Sequence, residues 1–266
     1  MPGYKDWIDA IDIKIDYFSA FMKAWIAFNA WYNFSGEVEG KTDKECIEYI
    51  GGKTNRFKTY IENLLTTDTD EGSAFRENLA ALHSALLRAA ITTQEYIGVR
   101  QTVSFSEVAI KNSNANEHFE FRNIKYECKR AHGKITTVVT ETRAGAEILR
   151  YEQDEYNLDE LVQQSDFQRL SDERQGKCQT CYEKLTPYST TSILATGDDR
   201  NDIERHITIG TYSFVKDTGK ISQAIITILY MLRCCLAHGD ISPDESSNTV
   251  YRYAYEVLCM PLKKLK

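Results

Sequence analysis

The chain has 266 residues, 42% of them hydrophobic, which suffices to bury a sizeable core and excludes a disordered chain. No run of about eighteen apolar residues passes without a polar break, and the opening MPGYKDWIDAIDIK lacks the basic-then-apolar order of a secretory signal, so a cytoplasmic protein without a membrane partner is expected. With 39 acidic and 32 basic side chains the formal net charge is −7; the surface as a whole does not attract nucleic acid, and any phosphate contact must be local.

From Ile11 to Tyr32 the pattern is helical, because Phe18, Met22, Trp25, Phe28 and Tyr32 recur at three- and four-residue steps and share one stripe. Asn29 falls inside that stripe, either as a structural amide joining two helices or as a polar group lining a cleft with Arg233 and His238. Residues 42 to 65 predict a second helix with Ile47, Ile50, Phe57, Ile61 and Leu64 as its apolar positions. Gly51-Gly52 should kink or split it, since each glycine costs about 1 kcal/mol relative to alanine. A third helix is expected from Glu71 to Ala90, with Phe75, Leu79, Leu82, Leu86 and Leu87 on its apolar face. His83 beside that face is expected to be satisfied or exposed rather than a ligand.

Between about 97 and 145 the period changes to two. Val103 to Ser106, Phe119 to Tyr126 and Lys134 to Thr140 alternate, and His132-Gly133 is placed to form a turn. A small hairpin or sheet is expected there. Lys125, Lys129, Arg130 and Lys134, with Arg122 and His132, form a basic stretch that is either an RNA-binding surface or a set of ordinary solvated charges, and the tail Lys263, Lys264 and Lys266 is a second such stretch. Residues 146 to 216 are polar, with short helices at Leu158 to Phe167 and Arg174 to Leu185 and breakers at 188 to 192 and 197 to 200. Residues 97 to 215 therefore read as an insertion between N-terminal helices, 1 to 96, and C-terminal helices, 216 to 266. The cysteine count is odd, 7, so reduced thiols are expected. Cys178 and Cys181 have the spacing of half a zinc site, but no second pair stands nearby, and neither a metal nor a cofactor is expected.

Helical patterning resumes at Asp217-Thr218-Gly219. Ile221, Ala224, Ile225, Ile228, Leu229, Leu232 and Leu236 make a broad apolar face, which puts this helix at the centre of its domain. Ser242-Pro243-Asp244-Glu245 suits the start of a last helix carrying Val250, Tyr251, Ala254, Tyr255, Val257 and Leu258. The fold class expected is mainly α: an antiparallel helical bundle with an inserted α+β segment.

Between these two helices stands Arg233-Cys234-Cys235-Leu236-Ala237-His238-Gly239-Asp240. On an ideal helix Arg233 and His238 lie about 140° apart, so they converge only if the helix ends or tightens near Ala237, which Gly239 favours as a cap. A guanidinium and an imidazole are enough to cleave RNA without a metal. The 2'-hydroxyl attacks phosphorus once a base takes its proton, an acid protonates the departing 5'-oxygen, and histidine serves either task near neutral pH. Arg233 would bind the phosphate. One histidine is a poor acid and base at once, and a twofold dimer supplies two. Asp240 would orient His238 or cap local amides, while Cys234 and Cys235 read as packing residues.

The segment Leu232 to Asp240, followed by a terminal helix and preceded far upstream by Trp25-Ile26-Ala27-Phe28-Asn29-Ala30-Trp31-Tyr32, resembles the HEPN superfamily. The likeness covers roughly 10 to 95 and 217 to 262. It implies a helical, often dimeric bundle whose motif is an arginine, four to six residues and a histidine, matched here by Arg233 and His238. It further implies a metal-independent endoribonuclease of the toxin-antitoxin, antiviral-defence or RNA-processing kind, with RNA as substrate, a homodimeric site and a regulatory protein such as an antitoxin as partner. Many members carry Asn, Asp or His directly after the arginine, where this chain has Cys234. The alternative is a non-catalytic module binding RNA, nucleotide or protein through the same cleft; a metal enzyme built on Cys178, Cys181 and His206 ranks below both.

Overall fold

The computed structural model describes residues 16–93, 101–112, 114–196 and 205–266. The chain divides into two units, a helical one comprising Met1–Ile110 with Thr190–Lys266, and a second one comprising Lys111–Ser189. Among the described residues the fold is mainly helical with an inserted β-sheet region, nine helices against eight strands in three sheets.

Helix α1 (Tyr17–Phe34) starts where the Asp16 carboxylate accepts from the N–H groups of Phe18 and Ser19. Its stripe is buried at Phe18, Trp25, Phe28 and Tyr32 as expected, joined by Phe21 and Ala24, while Met22 is half-buried. The part of the predicted helix from Ile11 to Ile15 lies outside the described residues. The glycine pair splits the next helix. α2 (Asp43–Gly52) ends on it and α3 (Arg56–Thr66) begins after Asn55, whose Nδ2 donates to the Ile50 carbonyl at 2.9 Å while its Oδ1 accepts from the Lys58 N–H. One amide thus closes the first helix and opens the second.

α4 (Asp70–Ala89) buries Phe75, Leu79, Leu82 and Leu86, but Leu87 is 54% exposed. His83 differs from expectation. It is 1% exposed, ringed edge-on by Phe105, Tyr212 and Phe214, and its Nδ1 has no hydrogen-bond partner among the described residues. Apolar packing, not hydrogen bonding, holds the ring, and burial lowers its pKa. The alternation at 103–106 does not make a strand either. Val103 and Phe105 are both fully buried in the helical core, the backbone turns after them, and the first strand is β1 (Val108–Lys111).

In the second unit, β2 (Asn116–Phe121), β3 (Ile124–Ala131), β4 (Lys134–Glu141) and β5 (Ala146–Gln153) form an antiparallel meander in that order. Both tight turns have positive φ at two successive residues, Arg122-Asn123 (50° and 60°) and His132-Gly133 (54° and 78°), matching the right-handed twist of the strands they join. The second turn is the one His132-Gly133 signals, whereas the first falls inside the run Phe119 to Tyr126 that alternates as one strand. α5 (Leu158–Gln163), α6 (Ser165–Gln168) and α7 (Asp172–Glu183) cover one face, where Leu161, Phe167, Cys178, Cys181 and Tyr182 meet Ile124, Tyr126, Cys128, Ile135 and Val139. Residues 188–191, expected as a breaker, form β6 (Tyr188–Thr191), which pairs with β1. The other expected breaker, 197–200, lies outside the described residues.

The chain returns to the helical unit through the hairpin β7 (His206–Ile209) and β8 (Tyr212–Val215). Gly210 in its turn has φ 61°, and a Cβ there would stand 2.6 Å from the Ala80 methyl, so both conformation and space demand glycine. α8 (Thr218–His238) begins at the Asp217 cap and is buried from Ile221 to Leu232 at every residue except Gln223. It packs on α2 and α3. By length and composition alone α8 could cross a membrane; 67% of its apolar window is buried within the protein. α9 (Glu245–Lys263) starts on the Asp244 cap, runs longer than its apolar pattern in both directions, and packs on α1 and α4.

Candidate functional site

The site is built around the C-terminal turns of α8. Gly239 takes φ 71°, the Asp240 N–H donates to the Cys235 carbonyl at 2.9 Å, and the Gly239 N–H donates to Leu236 at 3.3 Å. This glycine-dependent cap satisfies the last carbonyls and stops the helix after His238. The helix thus ends one residue past Ala237 at the expected Gly239 cap, and the Gly239 bond to Leu236 tightens its last turn. Arg233 and His238 both lie within α8, about 140° apart around an ideal axis and about 7.5 Å apart along it. Within one chain they do not share a face.

Arg233 is held from the side. Its Nη2 lies 3.3 Å from Oδ2 of Asp43, the first residue of α2, with the two side chains 27% and 36% exposed. The other oxygen, Asp43 Oδ1, accepts from Asn29 Nδ2 at 3.3 Å, and the same amide nitrogen donates to the Tyr32 hydroxyl at 2.5 Å. Asn29 thus joins two helices, as the structural expectation had it, and reaches Arg233 through one carboxylate. Asp43 did not emerge from the sequence. The Thr42–Glu45 capping box that starts its helix is legible there, but nothing marks a partner on the far side of the chain.

The contact between Arg233 and Asp43 is single and long. A guanidinium has five N–H donors. Nε is buried without a partner, while the remainder of the fork is uncommitted among the described residues. Beneath it lie hydroxyls that stay neutral. Burial and the Asp43 charge raise the Tyr32 pKa, and burial with the neighbouring Cys234 raises that of Tyr230. Burial also pushes the Cys235 thiol up to about 12, which makes it a packing group rather than a nucleophile. Tyr251 from α9 donates its buried hydroxyl to the Leu232 carbonyl at 2.7 Å, fixing the backbone one residue before Arg233. The His238 side chain is exposed and makes no hydrogen bond among the described residues, and the half-buried Asp240 carboxylate makes none to it.

The basic stretch is mostly committed within its own unit. Lys125 pairs with Glu127 at 2.6 Å, Lys134 with Glu152 at 2.5 Å, and Arg122 with Glu173 at 2.8 Å. Arg130 donates to the carbonyls of Asn112 at 2.8 Å, Asn114 at 3.1 Å and Leu185 at 3.4 Å, tying the start of the unit to its end. Lys129 alone of the four RNA-binding candidates is exposed without a partner among the described residues. Cys178 and Cys181 are fully buried beside Cys128, and burial raises Cys178 to about 12. Among the described residues no group of three or more His, Cys, Asp or Glu is arranged to hold a metal.

Comparison with protein-family models, curated proteins and solved structures gave no match.

Proposed function

We propose that the helical unit is a HEPN-type bundle and that the protein is a metal-independent endoribonuclease working as a homodimer. The observation that carries this reading is the bridge Asn29–Asp43–Arg233, which ties the aromatic helix to the arginine of the motif, the two segments on which the family resemblance rests. Arg233 would bind the scissile phosphate with the uncommitted part of its fork. His238, exposed at the helix end, would take the 2'-hydroxyl proton, and the second imidazole of the dimer would protonate the departing 5'-oxygen. The products are a cyclic phosphate and a 5'-hydroxyl. The separation of Arg233 and His238 around one helix favours a site shared by two chains. On the resemblance alone, the protein would be a cytoplasmic toxin or antiviral effector restrained by an antitoxin-type protein.

The test is incubation of the purified protein with mixed RNA in EDTA, beside Arg233→Ala and His238→Ala. Cleavage by the parent is expected to fall at least about 100-fold in both variants, the usual scale for losing a general acid-base group or a charge-stabilising donor. Full activity in either variant, with folding retained, overturns the assignment. The second reading, a non-catalytic module binding RNA, nucleotide or protein, is favoured by the Asp43 carboxylate, which partly neutralises the Arg233 guanidinium. Binding of RNA by the parent without cleavage would select it.

A further inference from the structure

His83 stands on the face of α4 that meets the β7–β8 hairpin. The Tyr212 ring lies edge-on to the imidazole with centroids 4.4 Å apart, Phe105 and Phe214 follow at 5.8 and 6.1 Å, and Nδ1 has no hydrogen-bond partner among the described residues. Tyr212 is the titratable group that faces the ring. No charged side chain of α3, α4, α9, the 101–107 segment or the hairpin acts on it among the described residues, and burial alone disfavours its proton. A neutral imidazole suits this aromatic box, whereas an imidazolium there would have neither counter-ion nor acceptor. Phe105 and Phe214 are fully buried and Tyr212 only half, so the way from the imidazole to water passes Tyr212.

Tyr212 sits at the turn of the hairpin, paired with Ile209. The turn rests on α4 at a second point one helical step earlier, where a Cβ on Gly210 would stand 2.6 Å from the Ala80 methyl. The rest of the hairpin is tied elsewhere. Val215 N–H donates to the Ile193 carbonyl at 2.9 Å, Ala195 N–H to that of Ser213 at 2.8 Å, and Lys216 N–H to that of Arg205 at 3.1 Å. Within the turn Ile209 alone is buried, Gly210 and Thr211 being exposed, so this short piece can leave α4 while the remaining ladder holds.

We propose that the turn Ile209–Tyr212 is a latch closed over a neutral His83 and released when that imidazole takes up a proton. The device is built into the hairpin that leads into α8 and is independent of the Arg233 chemistry.

The test is native-state amide hydrogen exchange on the full chain, corrected for intrinsic rates, at about pH 7.5 and about pH 5.5 and over a series of sub-denaturing urea concentrations. Once uncovered, the imidazole titrates near its ordinary value of about 6.5, so an opening that frees it becomes about tenfold more populated one pH unit below that value. The amides of 209–213 are expected to exchange faster than those of 222–232 in α8, with little dependence on urea, and to lose about tenfold in protection between the two pH values. His83→Leu should abolish that loss. Tyr212→Ala, which leaves α4 intact and uncovers the ring, should abolish it as well. A turn protected as strongly as α8 and with the same urea dependence opens only with the whole protein, which overturns the latch. No pH dependence in the parent, or an undiminished one in either folded variant, overturns it equally.

Discussion

Asp43 is the residue through which the proposed phosphate site would be tuned. Its contact with Arg233 joins two partly exposed groups over a single 3.3 Å approach, and such pairs contribute at most about 1 kcal/mol to folding. Its larger effect is on anions, because a carboxylate beside the guanidinium opposes any phosphate that approaches. Asp43→Asn keeps the shape and removes the charge. In a His238→Ala background, where RNA would survive intact, Asp43→Asn is expected to tighten RNA binding about two- to fivefold in a filter-binding assay. Unchanged affinity would place the bound phosphate away from Arg233. His83 shows the opposite use of an ionisable side chain, an imidazole kept neutral by burial. Its folded pKa is depressed, so below the unfolded value of about 6.5 the unfolded chain binds the extra proton and stability falls as pH drops. His83→Leu, a replacement of similar size, should reduce the loss of denaturant midpoint between about pH 7 and pH 5. A parent and variant with the same pH dependence would show that His83 is protonated in the folded state.

At the scale of elements, legibility followed the strength and continuity of the apolar period. α8 and α1 carry large side chains at nearly every core-facing step, and both were readable, as was the split at Gly51-Gly52. The β2–β3 hairpin was not read, because Phe119 and Phe121 continue into Ile124 and Tyr126 with only one slipped step, and that slip of three is the turn at Arg122-Asn123. β5 buries only Leu149 and Gln153, and its partner strand is irregular at Val139/Thr140, so its alternation is faint. α7 was legible as the short helix expected at Arg174 to Leu185, although its buried face is Cys178, Cys181 and Tyr182 rather than branched aliphatics. At the site, Arg233, His238 and Asn29 could be named from type and spacing. Asp43 could not, because 190 residues separate it from Arg233 and local pattern carries no information across that distance. The same limit explains Arg130, which looked like part of a basic surface until the carbonyls of Asn112, Asn114 and Leu185 were brought to it.

For the whole molecule the decisive quantity is how many chains the proposed active site would need. α8 runs to His238 before the Gly239 cap, and the five-residue spacing leaves Arg233 and His238 about 140° apart around its axis in each chain. If two chains together supply the imidazoles, a dimer containing one His238→Ala chain lacks either its acid or its base. Parent and His238→Ala chains unfolded together and refolded at equal amounts form dimers at random. Only the all-parent dimers would then cleave, and the mixture should keep about a quarter of the parent activity per total dimer. Chains that each act alone would keep about half. The two outcomes differ twofold, well within the resolution of an initial-rate assay, and a value of one half would remove the need for a shared cleft while leaving Arg233 and His238 as candidates within a single chain.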